Sequence, residues 1–293
     1  MTKHLGTVTN LELRESNTDG TEGAGLSHTA EGLHLLHVYE VAGDGEPRGG
    51  VTIVHDLGEH GGRYVELADR LADDGWALAL PDLRGHGHSE GPRGHSWGVP
   101  EPVRDIQSVQ EHVAYRLPDH PKVLIGVGLG ALYVLAFAQQ HRGSAQALVL
   151  ISPVLEPVLT APPSPGGLKG LFKKPKPLDE GPLGWPAQRR FASATARAAF
   201  TGDALCHDLT TRHTAERLPG EAAAVRAGLA SLEVPTLVIH GELDELASPA
   251  SSEVIRADER IVVPGAGHSV LHEECGVEWS EHIARFIDTR CPR

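Results

Sequence analysis

The sequence is short of cysteine and of basic residues, and it contains no long hydrophobic run. Its three cysteines, Cys206, Cys275 and Cys291, are widely spaced and form no C-x-x-C pair. Their odd number and spacing predict neither a disulfide framework nor a zinc ribbon. We therefore expect a protein of the reducing cytoplasm.

The shortage of basic residues gives the chain a strongly acidic balance. Its 293 residues include 26 Lys+Arg against 39 Asp+Glu, a formal net charge of -13. Such a surface repels phosphate backbones and anionic headgroups, so we expect no nucleic-acid partner and no membrane contact. The basic cluster from Lys173 to Lys176 is interpreted as a solvated tip, with membrane docking as the alternative. A homo-oligomer is compatible with this composition.

Hydrophobic segments are too short for a membrane span. No run approaches the ~20 apolar residues required, and Met1–Ser16 lacks the apolar stretch of a signal peptide. With 40% apolar and 22% charged residues, the chain has the composition of a folded globular protein.

Short β-rich runs alternate with amphipathic stretches. The predicted strands are His34–Val41, Val51–His55, Ala77–Leu80, Lys122–Gly126, Ala147–Ile151, Thr236–His240 and Arg260–Val263. The predicted helices are Tyr64–Asp73, Val103–Arg116, Leu129–His141, Ala250–Arg256 and Val277–Thr289. Continuous apolar strands alternating with helices predict an α/β fold, in which helices flank a mostly parallel central sheet.

This alternation stops between Ser152 and Glu233. The segment begins with a proline-rich stretch and continues with two alanine-rich helical stretches, Pro186–Phe200 and Thr214–Leu232. An insertion of this length between two strands predicts a cap or lid over the carboxyl edge of the sheet. We therefore predict a core of residues 1–152 and 233–293 and a lid of residues 153–232, with a loose loop as the alternative.

The predicted fourth strand ends in Gly126-Val127-Gly128-Leu129-Gly130, directly before a helix. This is the setting of a nucleophile elbow, whose pattern is G-x-S-x-G. Gly128 stands where that pattern has its serine. The outer glycines still suit a sharp strand-to-helix turn with close backbone contacts.

An acid and a histidine follow two later strands. Asp244 lies in the sequence GELD and His268 in the sequence GAGH. The order of elbow, acid and histidine is typical of α/β-hydrolases. The structural alternatives are that Asp244 caps a helix and that His268 is an ordinary loop histidine. The histidines show no H-x-x-x-H pairing on one predicted helix together with a carboxylate ligand, so no metal site and no cofactor are predicted.

Two further segments, HDLGEHGGRY at residues 55–64 and PDLRGHGHSEG at residues 81–91, complete a resemblance. With the elbow, GELD and GAGH, the chain resembles α/β-hydrolases of the monoacylglycerol lipase and lysophospholipase type, the serine aminopeptidase branch. The matching blocks run from Val51 to Ile287, apart from the lid. The resemblance implies an α/β-hydrolase fold with the following site: general base His268, its acid partner Asp244, backbone oxyanion donors Leu57 and Leu129, and nucleophile position Gly128.

The chain departs from this family at two places. Its elbow reads GVGLGA where the family has GHSMGG, and its oxyanion loop reads HDLG where the family has HG and a small residue. Gly128 has no side chain and can form no acyl-enzyme. For Asp56 we favour a loop residue that bonds its own backbone, with a second acid/base group facing the cleft as the alternative.

Three functional hypotheses follow. The first is a non-serine enzyme in which His268 and Asp244 form a general base and the backbone donors stabilise an oxyanion. Its substrate would be a hydrophobic carbonyl or phenolic small molecule, and its chemistry cyclisation, carbon–carbon bond formation or lyase-type cleavage, in specialised metabolism. The second is an inactive ligand-binding pseudo-hydrolase. The third is a serine esterase in which glycine replaces the natural residue 128. We expect the missing side chain to leave open space for substrate at the elbow. We also expect Gly128→Ser to create weak esterase activity, because the base, its acid partner and the oxyanion donors are already there and only the nucleophile is absent.

Overall fold

The computed structural model describes residues 7–14, 33–163 and 175–292. Their largest unit is an eight-stranded sheet of β1 Thr7–Arg14, β2 Leu33–Ala42, β3 Gly50–Val54, β4 Ala77–Pro81, β5 Lys122–Val127, β6 Ala147–Ile151, β9 Thr236–Gly241 and β10 Glu259–Val263. The strands lie in the order β1-β2-β4-β3-β5-β6-β9-β10. Strands β3 to β6, β9 and β10 run parallel, whereas β1 and β2 form an antiparallel edge. The predicted α/β-hydrolase fold class is confirmed.

Helices cover both faces of this sheet. They are α1 Val65–Asp73, α2 Pro100–Arg116, α3 Leu129–Gln140, α4 Ala187–Arg190, α5 Ala194–Gly202, α6 Arg212–Ala227 and α7 Gly276–Arg290. One core packs α2, α3 and α6 against the sheet, and the other packs α1 and α7 against the opposite face. Within β5, Leu124 belongs to the first core while Val123 and Ile125 belong to the second. Because both faces are buried, the strand is apolar from Val123 to Val127.

Two parts of the core differ from the sequence prediction. Strand β1 was not expected and extends the antiparallel edge of the sheet. The predicted helix Ala250–Arg256 is wrong, since only a 3₁₀ turn at Pro249–Ser252 forms there. The hydroxyl of Ser251 donates to the Ser248 carbonyl, and that of Ser252 donates to the Pro249 carbonyl. These side-chain bonds compete with continued helix formation.

The inserted segment contains a two-stranded antiparallel sheet of β7 (Glu180–Pro182) and β8 (Leu209–Thr211) as well as α4, α5 and α6. The single helix expected at Pro186–Phe200 is broken into α4 and α5, because the Ser193 hydroxyl caps the start of α5. Lys173 and Lys174 lie outside the described residues, and Lys176 is exposed. Among the described helices, none has both the length and the hydropathy needed to cross a bilayer.

Candidate functional site

A sharp turn joins β5 to α3, and Gly128 forms its tip with φ 55° and ψ -118°. The two flanking glycines allow backbones to approach closely. A Cβ at Gly126 would lie 2.5 Å from the Ala131 Cα, and one at Gly130 would lie 2.4 Å from the carbonyl oxygen of Val54. The turn therefore has the conformation of a nucleophile elbow, with no side chain at its tip.

The carboxylate of Asp56 occupies the space beside this tip. An ideal Cβ at Gly128 would lie 2.1 Å from Asp56 Oδ1, which is a steric clash. The expectation of open space at the elbow is therefore wrong. The favoured interpretation of Asp56 as an Asx turn is also wrong, because its side chain points into the site.

Asp56 is bound on both carboxylate oxygens. Its Oδ1 accepts a 2.8 Å hydrogen bond from the backbone N–H of Leu129. Its Oδ2 lies 3.2 Å from His268 Nε2 and accepts a 2.8 Å bond from Arg190 Nη1. One of the two predicted oxyanion donors is thus already engaged by the protein's own carboxylate.

Asp244 holds the other side of the imidazole. Its Oδ2 lies 2.8 Å from His268 Nδ1, so the predicted contact between acid and histidine is present. Its Oδ1 accepts hydrogen bonds from the backbone N–H groups of Leu246 and Ala247. No helix begins at these two residues, and the 3₁₀ turn that follows has Ser248 at its N-cap position without a side-chain cap, so the helix-capping alternative is wrong. His240 Nδ1 approaches the shared Oδ2 at 3.5 Å.

The two carboxylates beside His268 favour its protonated form. Its burial acts to lower its pKa, but the carboxylates of Asp244 and Asp56 outweigh burial and raise the pKa to about 10. Burial likewise acts to raise the pKa of Asp244, but His268 and His240 hold it below its usual range. A protonated His268 cannot accept a proton at neutral pH, so this state does not support the general-base chemistry of the first hypothesis.

The raised pKa predicts a loss of stability in alkali. A histidine with a higher pKa in the folded state than in the unfolded state stabilises the fold fully below pH ~6.5, and this contribution disappears as pH rises towards 10. We expect the free energy of unfolding, measured by urea denaturation, to fall by several kcal/mol across that window. His268→Gln should flatten this dependence. An equally steep decline in the variant would show that other groups cause it.

Arg190 closes the site from the inserted segment. It is the last residue of α4, its side chain is fully buried, and it pairs with Asp56 at 2.8 Å. Its Nη2 donates to the Leu57 carbonyl at 2.6 Å, and its Nε donates to the Trp185 carbonyl at 2.9 Å. Sequence patterns did not reveal Arg190, because it follows a proline-rich stretch and belongs to no recognisable motif.

The charged groups of the site are closed off from solvent, since Asp56, Arg190 and His268 are all fully buried. Leu57, the second predicted oxyanion residue, lines a separate cavity of about 20 Å³ together with His86 and Tyr133. A ligand that reaches Asp56 must therefore displace a group that covers it, and Arg190 from the inserted segment is such a group.

Comparisons with known proteins identify the relatives of this chain. The profile of the family described as serine aminopeptidase, S33 (Hydrolase_4) matches residues 45–275. The monoacylglycerol lipase of Mycolicibacterium smegmatis is 30% identical over 262 residues, covering 80% of this chain and 87% of the lipase. Human monoglyceride lipase is 28% identical over 242 residues, covering 78% of each chain. The crystal structure of Paleococcus ferrophilus monoacylglycerol lipase superposes with a TM-score of 0.72 at 25% identity, covering 87% of this chain and 99% of that one.

Proposed function

Because the chain belongs to the serine aminopeptidase S33 (Hydrolase_4) family of α/β-hydrolases, we propose that it hydrolyses an ester of a hydrophobic acyl group, with Asp56 as its nucleophile. The observation that carries this proposal is the carboxylate of Asp56 at the elbow, 3.2 Å from His268 Nε2. The similarity of the whole chain to monoacylglycerol lipases supports acylglycerols as the substrate class.

The protonation states of the site suit a carboxylate nucleophile. A serine needs a neutral histidine to remove its proton, whereas a carboxylate is already ionised. Asp56 would attack the acyl carbon, and the carbon–oxygen bond to the leaving alcohol would break. The imidazolium of His268 would then donate its Nε2 proton to that alkoxide as a general acid. This step yields an acyl–Asp56 anhydride, a free alcohol and a neutral His268.

The second step, hydrolysis of the anhydride, uses the neutral His268 that the first step leaves as its general base. Once Asp56 is acylated it has lost its negative charge, so one of the two carboxylates that raise the pKa of His268 is gone. The neutral imidazole can then take a proton from water as that water attacks the anhydride. The acid product leaves, Asp56 regains its charge, and His268 is again protonated. One water is consumed for each ester cleaved.

The direct test is hydrolysis by the unaltered chain. We expect release of fatty acid from a medium-chain monoacylglycerol and of nitrophenolate from p-nitrophenyl esters, above the background of heat-denatured protein. Since Arg190 must leave Asp56 before substrate enters, Arg190→Gln should lower KM for these esters. The absence of turnover in both the unaltered chain and this variant would overturn the proposal.

The second candidate is a ligand-binding pseudo-hydrolase, which the closure of the site by buried Arg190 favours. In that case the charged side chains of the site hold the inserted segment against the core and have no catalytic role. These side chains are Asp56, Arg190, Asp244 and His268. Ligand binding without ester cleavage, measured by calorimetry with a non-hydrolysable acylglycerol ether, would select this candidate.

A further inference from the structure

A second cluster of ligating side chains lies where the loop after Asp56 meets the segment after α5. His60 follows this loop, while Asp203 and Cys206 follow α5. His60 Nε2 and Asp203 Oδ2 are 2.9 Å apart. One potential ligand atom from each of His60, Asp203 and Cys206 lies within 4.8 Å of the other two.

The donor types and their burial suit a transition metal. Imidazole nitrogen, carboxylate oxygen and thiolate sulfur together are typical zinc ligands. His60 is only 6% exposed, and its Nδ1 is buried with no hydrogen-bond partner among the described residues. Because Nε2 is the nitrogen that faces Asp203, it is the atom that would bind an ion, and Nδ1 would carry the ring proton.

The backbone already holds the three donors together. The N–H of His207 donates to the Gly58 carbonyl at 2.9 Å, which joins the two segments directly beside the cluster. The backbone N–H of Cys206 donates to the Asp203 carbonyl at 3.1 Å. The donors therefore need little rearrangement to bind an ion.

The local charges also favour a divalent cation. Buried Glu59 is balanced by Arg63, whose Nε lies 3.5 Å from its Oε1. Asp203 then supplies a negative charge beside the thiol of Cys206, and a divalent cation bound by both would displace the thiol proton. A groove of about 630 Å³, lined by His60 and Asp203, offers an entry path and room for a fourth, solvent ligand.

We propose that His60, Asp203 and Cys206 form a zinc-type site that fastens the inserted segment to the oxyanion loop. The ion would replace the hydrogen bond between His60 and Asp203 and would hold the loop next to Asp56 in place. The site is separate from the reacting groups of the proposed hydrolase, so metal binding can be measured whether or not the chain cleaves esters.

Cobalt is the spectroscopic probe for this site. We expect Co²⁺, added to the EDTA-treated full chain, to give a thiolate-to-cobalt charge-transfer band and the intense visible bands of tetrahedral coordination, with one ion per chain. Cys206→Ser should abolish the charge-transfer band. Cys275→Ser, a matched thiol outside the cluster, should retain it. A missing band in the unaltered chain, or a band that survives Cys206→Ser, would overturn the proposal.

Zinc affinity supplies the second measurement. We expect His60→Gln and Asp203→Asn to weaken Zn²⁺ binding, measured by competition with a chromophoric chelator, by at least ~10-fold. Zinc should raise the melting temperature of the unaltered chain and of Cys275→Ser, and should leave that of His60→Gln unchanged. Far-UV circular dichroism establishes that each variant is folded. Equal affinity in folded His60→Gln and unaltered protein would exclude His60 as a ligand and with it the site.

Discussion

Asp56→Asn should reduce kcat for ester hydrolysis by at least ~10³-fold, because the amide has no ionised oxygen with which to attack the acyl carbon. Asparagine has nearly the same shape and can still accept a hydrogen bond from the Leu129 N–H, whereas its weaker attraction for Arg190 should lower KM, as expected for Arg190→Gln. Asp288→Asn, which breaks the 2.6 Å contact with Arg48 outside the site, is the ion-pair control and should keep the full rate.

The same substitution should also destabilise the protein. Asp56→Asn leaves the buried cations of Arg190 and His268 without one of their carboxylates, and breaking a buried ion pair costs about 3–5 kcal/mol. Rates must therefore be compared at a temperature where circular dichroism shows a folded variant. A folded Asp56→Asn chain that hydrolyses esters at the normal rate would exclude Asp56 as the nucleophile.

Gly128→Ser alone should create no serine esterase, in contrast to the expectation from sequence. The new Cβ would lie 2.1 Å from Asp56 Oδ1, so serine and carboxylate compete for one space. The family resemblance places glycine in the loop and serine in the elbow, whereas this chain has Asp56 in the loop and Gly128 in the elbow. In this chain the side chain at the site therefore comes from the oxyanion loop, at Asp56, and not from the elbow, at Gly128.

The double variant Asp56→Gly/Gly128→Ser should gain esterase activity that neither single variant has. Removing Asp56 frees the Leu129 N–H for an oxyanion and lowers the pKa of His268, which restores the neutral base that serine requires. A triple variant that also carries Arg190→Gln avoids a buried guanidinium whose carboxylate partner, Asp56, has been removed. Activity is measured with p-nitrophenyl esters, and a serine-reactive phosphonate should block only the variants that carry the Gly128→Ser substitution. Phosphonate-sensitive ester hydrolysis by the Gly128→Ser single variant would contradict the steric argument, because it would show a reactive serine beside an intact Asp56.

Sequence patterns predicted the core because buried parallel strands and glycine-rich turns have strong local signatures. All seven predicted strands are present with small changes at their ends, and Asp244 and His268 meet as their positions after β9 and β10 indicate. The helix predicted from Ala250 failed, since serine hydroxyls in that segment bond to nearby backbone carbonyls instead.

The unpredicted part of the site depends on contacts between distant segments. Local preferences favour a turn for Asp56, and its actual position is available only because residue 128 has no side chain. Arg190 belongs to the inserted segment, and the hydrophobic periodicity of the sequence does not predict where that segment lies on the sheet. The charge of His268 in turn depends on both carboxylates being near it. These interactions depend on tertiary packing between distant segments, which local sequence patterns do not predict.

Trapping the acyl group on the protein tests the central claim most directly. In His268→Gln, a p-nitrophenyl ester should still acylate Asp56, because nitrophenolate leaves without a proton, while the second step lacks its base. We predict a burst of one nitrophenolate per chain and, after acid quench, an acyl mass increment on the peptide that contains residue 56. A full burst with an unmodified Asp56 would contradict the account.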